Sequence, residues 1–155
     1  MKIRYIVEED KEAVLEMMKV FYSSPATIEK APEDILKRDI DDCLSDLPFI
    51  DGFVFEDELN NIAGYGMVSK TYSTGYGGIC LWFEDIYLKP EYQGKGYTSK
   101  FFEYIEELYN KIFDNKVRVV RYRMEVEKNN INALKSYEKN GFKRLNYVEM
   151  TKEVY

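Results

Sequence analysis

Residues 84–100 read EDIYLKPEYQGKGYTSK, a strand-like run that breaks at Pro90, passes two glycines around a lysine, and enters an apolar-periodic stretch. Glycines let a backbone pass close to a ligand. The start of a helix offers unpaired N–H groups and the positive end of the helix dipole. The segment therefore reads as strand, anion-holding loop and helix. Two common nucleotide loops do not fit it. The Walker pattern needs Ser or Thr after Gly-Lys, whereas Gly94-Lys95 is followed by Gly96, and no glycine stands five residues before Gly94. The dinucleotide pattern G-x-G-x-x-G fails at Ser99.

Upstream of the loop, FIDGFVFED (49–57), IAGYGMVSKTY (62–72) and GICLWFEDIYL (78–88) are rich in β-branched and aromatic residues, with the turn signals DELNN and STGYGG between them. They predict three strands in an antiparallel meander. Downstream, Phe101, Ile105, Leu108 and Ile112 mark a helix. VVRYRMEVE (119–127) then alternates Val120, Tyr122, Met124 and Val126 with Arg121, Arg123, Glu125 and Glu127, the pattern of a half-buried strand. A helix over 131–140 follows, with Gly141 as its C-cap, and KRLNYVEMTKEVY (143–155) reads as a last strand. At the front, KIRYIV predicts a first strand, and Val14, Met17, Met18 and Phe21 form a helical stripe more suited to core than to a ligand box. After the break YSSPATIEKAP, Leu36, Ile40, Cys43 and Leu47 share one face of a second helix with Pro32 in its first turn. The order β-α-α-β-β-β-α-β-α-β predicts one α/β domain over 1–155, layered on a single sheet. The central strand–loop–helix–strand unit is a parallel crossover, which sets the loop at a strand's C-terminal end, where ligands collect.

The chain has no histidine, so Ser-His-Asp and Cys-His machinery and most zinc sites are excluded. Proton transfer must fall to carboxylates, tyrosine, lysine or water. With 22 basic and 28 acidic residues the formal charge is −6, which argues against nucleic acid as a partner. Residues 29–57 hold ten acids (Glu29, Glu33, Asp34, Asp39, Asp41, Asp42, Asp46, Asp51, Glu56, Asp57) against Lys30, Lys37 and Arg38, so this segment carries −7 and the remainder +1. By composition alone such a run is a solvated helix face. No apolar run approaches the ~20 residues of a membrane span, and MKIRYIVEED lacks a signal peptide's apolar stretch. The expectation is a cytoplasmic protein. Cys43 and Cys80 are too far apart in sequence for a metal knuckle and suggest no disulfide framework.

Two stretches resemble a known family. FEDIYLKPEYQGKGYTSK is similar to the acetyl-coenzyme A signature of the GNAT N-acetyltransferases, a strand and a proline followed by Arg/Gln-x-x-Gly-x-Gly/Ala opening a helix, here Gln93, Gly94, Lys95, Gly96, Tyr97 and Thr98. Thr98 departs from the usual Gly or Ala and is expected to cap the helix or meet a phosphate. NINALKSYEKNGF resembles the family's Asn-x-x-Ala-x-x-x-Tyr-x-x-x-Gly-Phe segment, with Asn130, Ala133, Tyr137, Gly141 and Phe142 in register. The two motifs cover residues 84–142; the first eighty residues match in element order only.

The resemblance implies a GNAT-like, mostly antiparallel sheet flanked by helices, with acetyl-CoA as co-substrate. Its pyrophosphate would be held by N–H groups from Gly94 to Ser99, including Lys95, Tyr97 and Thr98, with the Lys95 charge nearby. Backbone groups of Ile86, Tyr87 and Leu88 would pair with the pantetheine arm like an added strand, and Asn130 would hydrogen-bond it. Tyr137 would protonate the leaving thiolate. By strand alternation one of Glu84 and Asp85 faces the substrate side. WFEDIYL further resembles the branch acting on diamines and polyamines, in which Glu84 becomes the base, directly or through water. A base is needed because an alkyl amine of pKa ~10.4 is free in only about one molecule in 2,500 at neutral pH. The acceptor is then a small cationic primary amine, acetylated directly with no metal and no covalent enzyme intermediate. Neither nucleic acid nor membrane is a partner; a homodimer is compatible with the family. The alternatives are a protein N-terminal or lysine acetyltransferase and a coenzyme-A-binding sensor without turnover.

Overall fold

The computed structural model describes residues 1–113 and 117–154. Strand β1 (Lys2–Tyr5) leads through a short turn of helix at Glu8–Asp10 into α1 (Lys11–Ser23) and α2 (Glu33–Leu44). Then come β2 (Ile50–Glu56), β3 (Ile62–Ser73), β4 (Gly78–Leu88), α3 (Tyr97–Ile112), β5 (Val119–Met124) and α4 (Ile131–Lys139). The strands lie in sequence order across one sheet. All neighbours are antiparallel except β4 and β5, which are parallel because α3 carries the chain back to the starting edge.

Each face of the sheet buries its own cluster, which is how period-two strands build a three-layer molecule. Val14, Met17 and Met18 of α1 and Leu36 and Ile40 of α2 pack on Val54, Tyr65 and Met67. On the opposite face Phe101, Phe102, Ile105 and Tyr109 of α3 pack on Phe53, Phe55, Val68, Leu81 and Phe83, with Tyr137 and Phe142 joining them. No helix among the described residues is long and apolar enough to cross a membrane.

Three details depart from the sequence reading. Helix α2 stops before Leu47, because the Ser45 hydroxyl and amide both bond the Asp42 carbonyl and end the turn, and Leu47 is left exposed. In α3 Phe101 and Ile105 are buried as expected, but Phe102 and Tyr109 complete the buried stripe in place of Leu108 and Ile112, and Ile112, the last residue of the helix, is exposed. The expected last strand is absent among the described residues: 143–154 form no regular element, and Tyr147, Val148 and Met150 are more than 80% exposed. Its apolar residues change parity between Tyr147 and Val148, so no single strand face would be apolar and pairing would have little to bury. The end of α4, by contrast, is as expected. Gly141 takes a left-handed φ of 87°, and the amides of Phe142 and Gly141 bond the carbonyls of Tyr137 and Glu138.

Candidate active site

The loop that follows β4 is held open by its backbone. Gly94 and Gly96 have φ of 70° and 79°, a region that side chains disfavour, and an added Cβ at either would meet nothing within 4 Å. Gly96 is the N-cap of α3, and the first helical bond runs from the Lys100 amide to the Gly96 carbonyl. The amides of Tyr97, Thr98 and Ser99 therefore lie in the turn that has no intrahelical acceptors. No side chain caps this end, so Thr98 does not take the capping role expected of it. Tyr92 braces the loop: its hydroxyl donates to Asp57 at 2.8 Å, and its ring packs against Tyr97 and beneath the Lys95 ammonium. The Gln93 amide folds back and donates to the Leu88 carbonyl.

Behind the loop the sheet splits. Strand β4 stays paired to β3 as far as Leu88 opposite Gly64, but its pairing with β5 ends at Phe83 opposite Met124. From Glu84 to Leu88 the side of β4 toward β5 has no strand partner among the described residues, and Ile86, Tyr87 and Leu88 line this slot. The split coincides with a bulge. Val68 opposes Phe83 and Met67 opposes Asp85, so Glu84 is an extra residue with no partner of its own.

The bulge overturns the alternation argument. Asp85 meets Tyr22 of α1 and Tyr65 on the α1/α2 face, while Glu84 accepts a bond from the hydroxyl of Ser69, which continues the side-chain period of Tyr65 and Met67. Both carboxylates thus occupy one face. Tyr137 lies on the other face, with its ring centroid 6.1 Å from that of Phe102, itself 4.8 Å from Phe83. Burial raises the Tyr137 pKa and keeps the phenol protonated, the form a proton donor needs. Its ring packs, partly buried, against the aromatic cluster of that face. Asn130 caps α4 by accepting the Ala133 amide at 3.2 Å, a structural role that leaves its NH₂ for a ligand. Beside it, a cleft of about 360 Å³ is lined by Ser24, Pro25 and Ala26 from the α1–α2 connection and Glu127, Asn129 and Asn130 from the β5–α4 connection.

Acids crowd the α1/α2 side of the slot. Asp85 is 3% exposed and accepts from Tyr22 at 3.0 Å and Tyr65 at 2.9 Å. Burial pushes its pKa up to about 6, the two phenols pull it down, and the charges of Asp39 and Glu84 push it up again. Burial also raises Asp39, with Asp42 adding to it. Glu125, just beyond β5, is raised first by burial and then by a shared hydrogen bond with Glu149, with Glu84 and Glu29 nearby. Glu84 thus sits between two groups of carboxylates from five segments of the chain.

Sequence reasoning named the loop, Ile86 to Leu88, Tyr137 and the pair Glu84–Asp85, preferring Glu84; it gave no role to Tyr22, Tyr65 or Glu125. The polar side of the β5 pattern could have flagged Glu125. Nothing singles out two of fourteen tyrosines.

Known proteins share this fold. The pattern of the acetyltransferase (GNAT) family matches residues 11–142. Bovine (Bos taurus) thialysine N-epsilon-acetyltransferase is 43% identical over 47 residues, a match that takes in 30% of this chain and 27% of the bovine protein. In fold, the chain superposes with a TM-score of 0.78 on a possible acetyltransferase from Clostridium difficile 630, at 24% identity, covering 99% of this chain and 97% of that one. It superposes at 0.74 on an aminoglycoside 6'-N-acetyltransferase from Acinetobacter haemolyticus, at 14% identity over the full length of both chains. The family pattern begins with α1 and ends just past α4, enclosing the loop, the slot and every carboxylate named there except Glu149, and the chain belongs to the GNAT acetyltransferase family.

Proposed function

We propose that the protein transfers an acetyl group from acetyl-CoA to a small cationic primary amine, a diamine or polyamine in its plainest form. The observation that carries the reading is the slot between β4 and β5, with unpaired amides at its mouth, a protonated phenol on one face and a cluster of carboxylates on the other. The loop amides of Gly94 to Ser99 would bind the pyrophosphate, and Ile86 to Leu88 would pair with the pantetheine arm in the place of a strand. Glu84, directly or through one water, takes a proton from the ammonium. The freed nitrogen attacks the thioester carbonyl and a C–N bond forms; as the C–S bond breaks, the Tyr137 hydroxyl protonates the departing thiolate and the nitrogen gives up its second proton to water. The acids contributed by α2, β4 and the end of β5 supply the attraction for a cation.

The bovine relative's thialysine and the aminoglycosides of the structural neighbour are themselves named as amine acceptors, which agrees in class. The test is release of free thiol from acetyl-CoA with a panel of diamines, polyamines, neutral amines and peptides. Fastest turnover with small cations supports the reading, and peptides as best acceptors would replace it with a protein acetyltransferase. Thermal stabilisation by acetyl-CoA without thiol release under any acceptor would leave a coenzyme-A sensor.

A further inference from the structure

We propose that Arg121 and Arg123 form a carboxylate-binding subsite beside the acidic slot, so that the preferred acceptor carries a carboxylate as well as the reacting amine. The inference rests on the acetyltransferase reading for the amine end only. Both arginines project from β5 on the side shared with Glu125, and they lie opposite Cys80 and Trp82 of β4. The Arg123 guanidinium sits 4.0 Å from the centre of the Trp82 ring, and that of Arg121 sits 4.8 Å from the centre of the Tyr76 ring. Trp82 in turn opposes Ser69, whose hydroxyl bonds Glu84, so stacks and acids share one face of the sheet.

These two guanidiniums are unusual in this molecule. Of the other half-buried bases among the described residues, Arg4, Lys11, Lys19 and Lys70 find carboxylate partners and Lys89 donates to the Ile62 carbonyl. Among the described residues neither Arg121 nor Arg123 has an ion pair or a side-chain hydrogen bond. Covering Trp82 would account for one long aliphatic stem. It does not account for two half-buried forks without acceptors, standing within a few residues of a surplus of carboxylates. Stacking on a ring fixes the guanidinium and leaves its in-plane N–H donors for a planar, bidentate anion, and a carboxylate fits that geometry.

The spacing sets the ligand's length. Glu84 and Glu125 each stand two residues beyond Trp82 and Arg123 along the chain, at most about 7 Å farther on at roughly 3.3 Å per residue. A four-carbon side chain spans that interval. The acceptor class is therefore an ω-amino acid whose amine reaches the acids while its carboxylate lies on the arginines.

The experiment compares L-lysine, L-lysinamide and 1,5-diaminopentane as acceptors, with the parent protein and the Arg121→Gln/Arg123→Gln double variant, after matching their melting temperatures. In the parent, kcat/KM for lysine should exceed that for lysinamide by about tenfold or more, mainly through KM, the scale expected for a charge-assisted pair. In the double variant that preference should vanish, while KM for diaminopentane falls because two repelling cations are gone. Arg123→Lys should keep part of the preference, retaining charge without the fork. Equal use of lysine and lysinamide by the parent overturns the proposal, as does a double variant that weakens all three acceptors by one factor. If no amine is acetylated, the acetyl-transfer reading fails. The subsite is then judged by binding of lysine and lysinamide to the CoA-saturated protein, where equal Kd values overturn it.

Discussion

Asp85 is a carboxylate whose fate was decided by one neighbouring residue. The bulge at Glu84 turns it under α1, where two phenols hold it and burial lifts its pKa from the ordinary 3.8 to about 6. The folded protein then holds this proton more tightly than the unfolded chain does. The stability so gained is fully present below pH ~4 and is lost as pH rises through 6. Against Asp85→Asn, the parent should lose on the order of 3 kcal/mol between pH 4 and pH 7, read from urea midpoints. Parallel pH dependences in the two proteins would mean that the carboxyl titrates as an exposed one. In the proposed reaction Tyr137 would have the opposite task of staying protonated until a thiolate needs it. Tyr137→Phe should lower kcat by about 10²–10⁴-fold with KM for acetyl-CoA little changed; an unchanged kcat under chemistry-limited turnover would make the ring a packing residue of α4.

The start of α3 joins two requirements in one residue. Gly96 holds a left-handed φ with open space around it, and in the proposed reaction it would also leave that space to an anion. Gly96→Ala should cost about 1 kcal/mol from the backbone alone, because no neighbour would clash with the new methyl. Gly96→Glu should in addition abolish the rise in Tm that acetyl-CoA gives the parent. A normal ligand-induced rise in that variant would put the phosphates elsewhere. This element was legible in the sequence because its demands are local: a positive φ selects glycine, and a helix start follows at once. The C-cap at Gly141 was legible for the same reason. The bulge was not, since a surplus residue in a strand leaves no mark on composition and is defined only by the partner strand. The tail over 143–154 misled the reading in the other direction, because β-favouring residues without one apolar face cannot commit to a sheet.

At the scale of the molecule, charge and topology point the same way. The acidic segment that composition marks as a solvated face delivers Asp39 and Glu29 to the slot, but it does not deliver all its acids. Asp41 pairs with Lys11 at 2.9 Å, and Glu33 is divided between Lys19 and Lys37. Reversal of Asp39 to Lys should therefore raise KM for a diamine several-fold, while reversal of Asp41 should do little. For the parent, KM for the amine should climb with salt and kcat should stay nearly constant, because exposed charges attract by only ~1 kcal/mol at close range and are screened beyond ~8 Å. A diamine KM indifferent to both salt and Asp39→Lys would remove electrostatic recruitment from the picture.

The bulge in β4 also means that the slot depends on the length of a strand more than on any side chain in it. A chain shortened by the single residue Glu84 would set Phe83 and Asp85 against Val68 and Met67 in an unbroken ladder, with every other side chain still on its present face. Such a protein should fold at least as stably as its parent and show no thermal response to acetyl-CoA. Glu84→Gln should keep that response and lose only turnover. Substitution scanning, which changes letters and never their number, would read Glu84 as a side chain and miss this dependence on strand length.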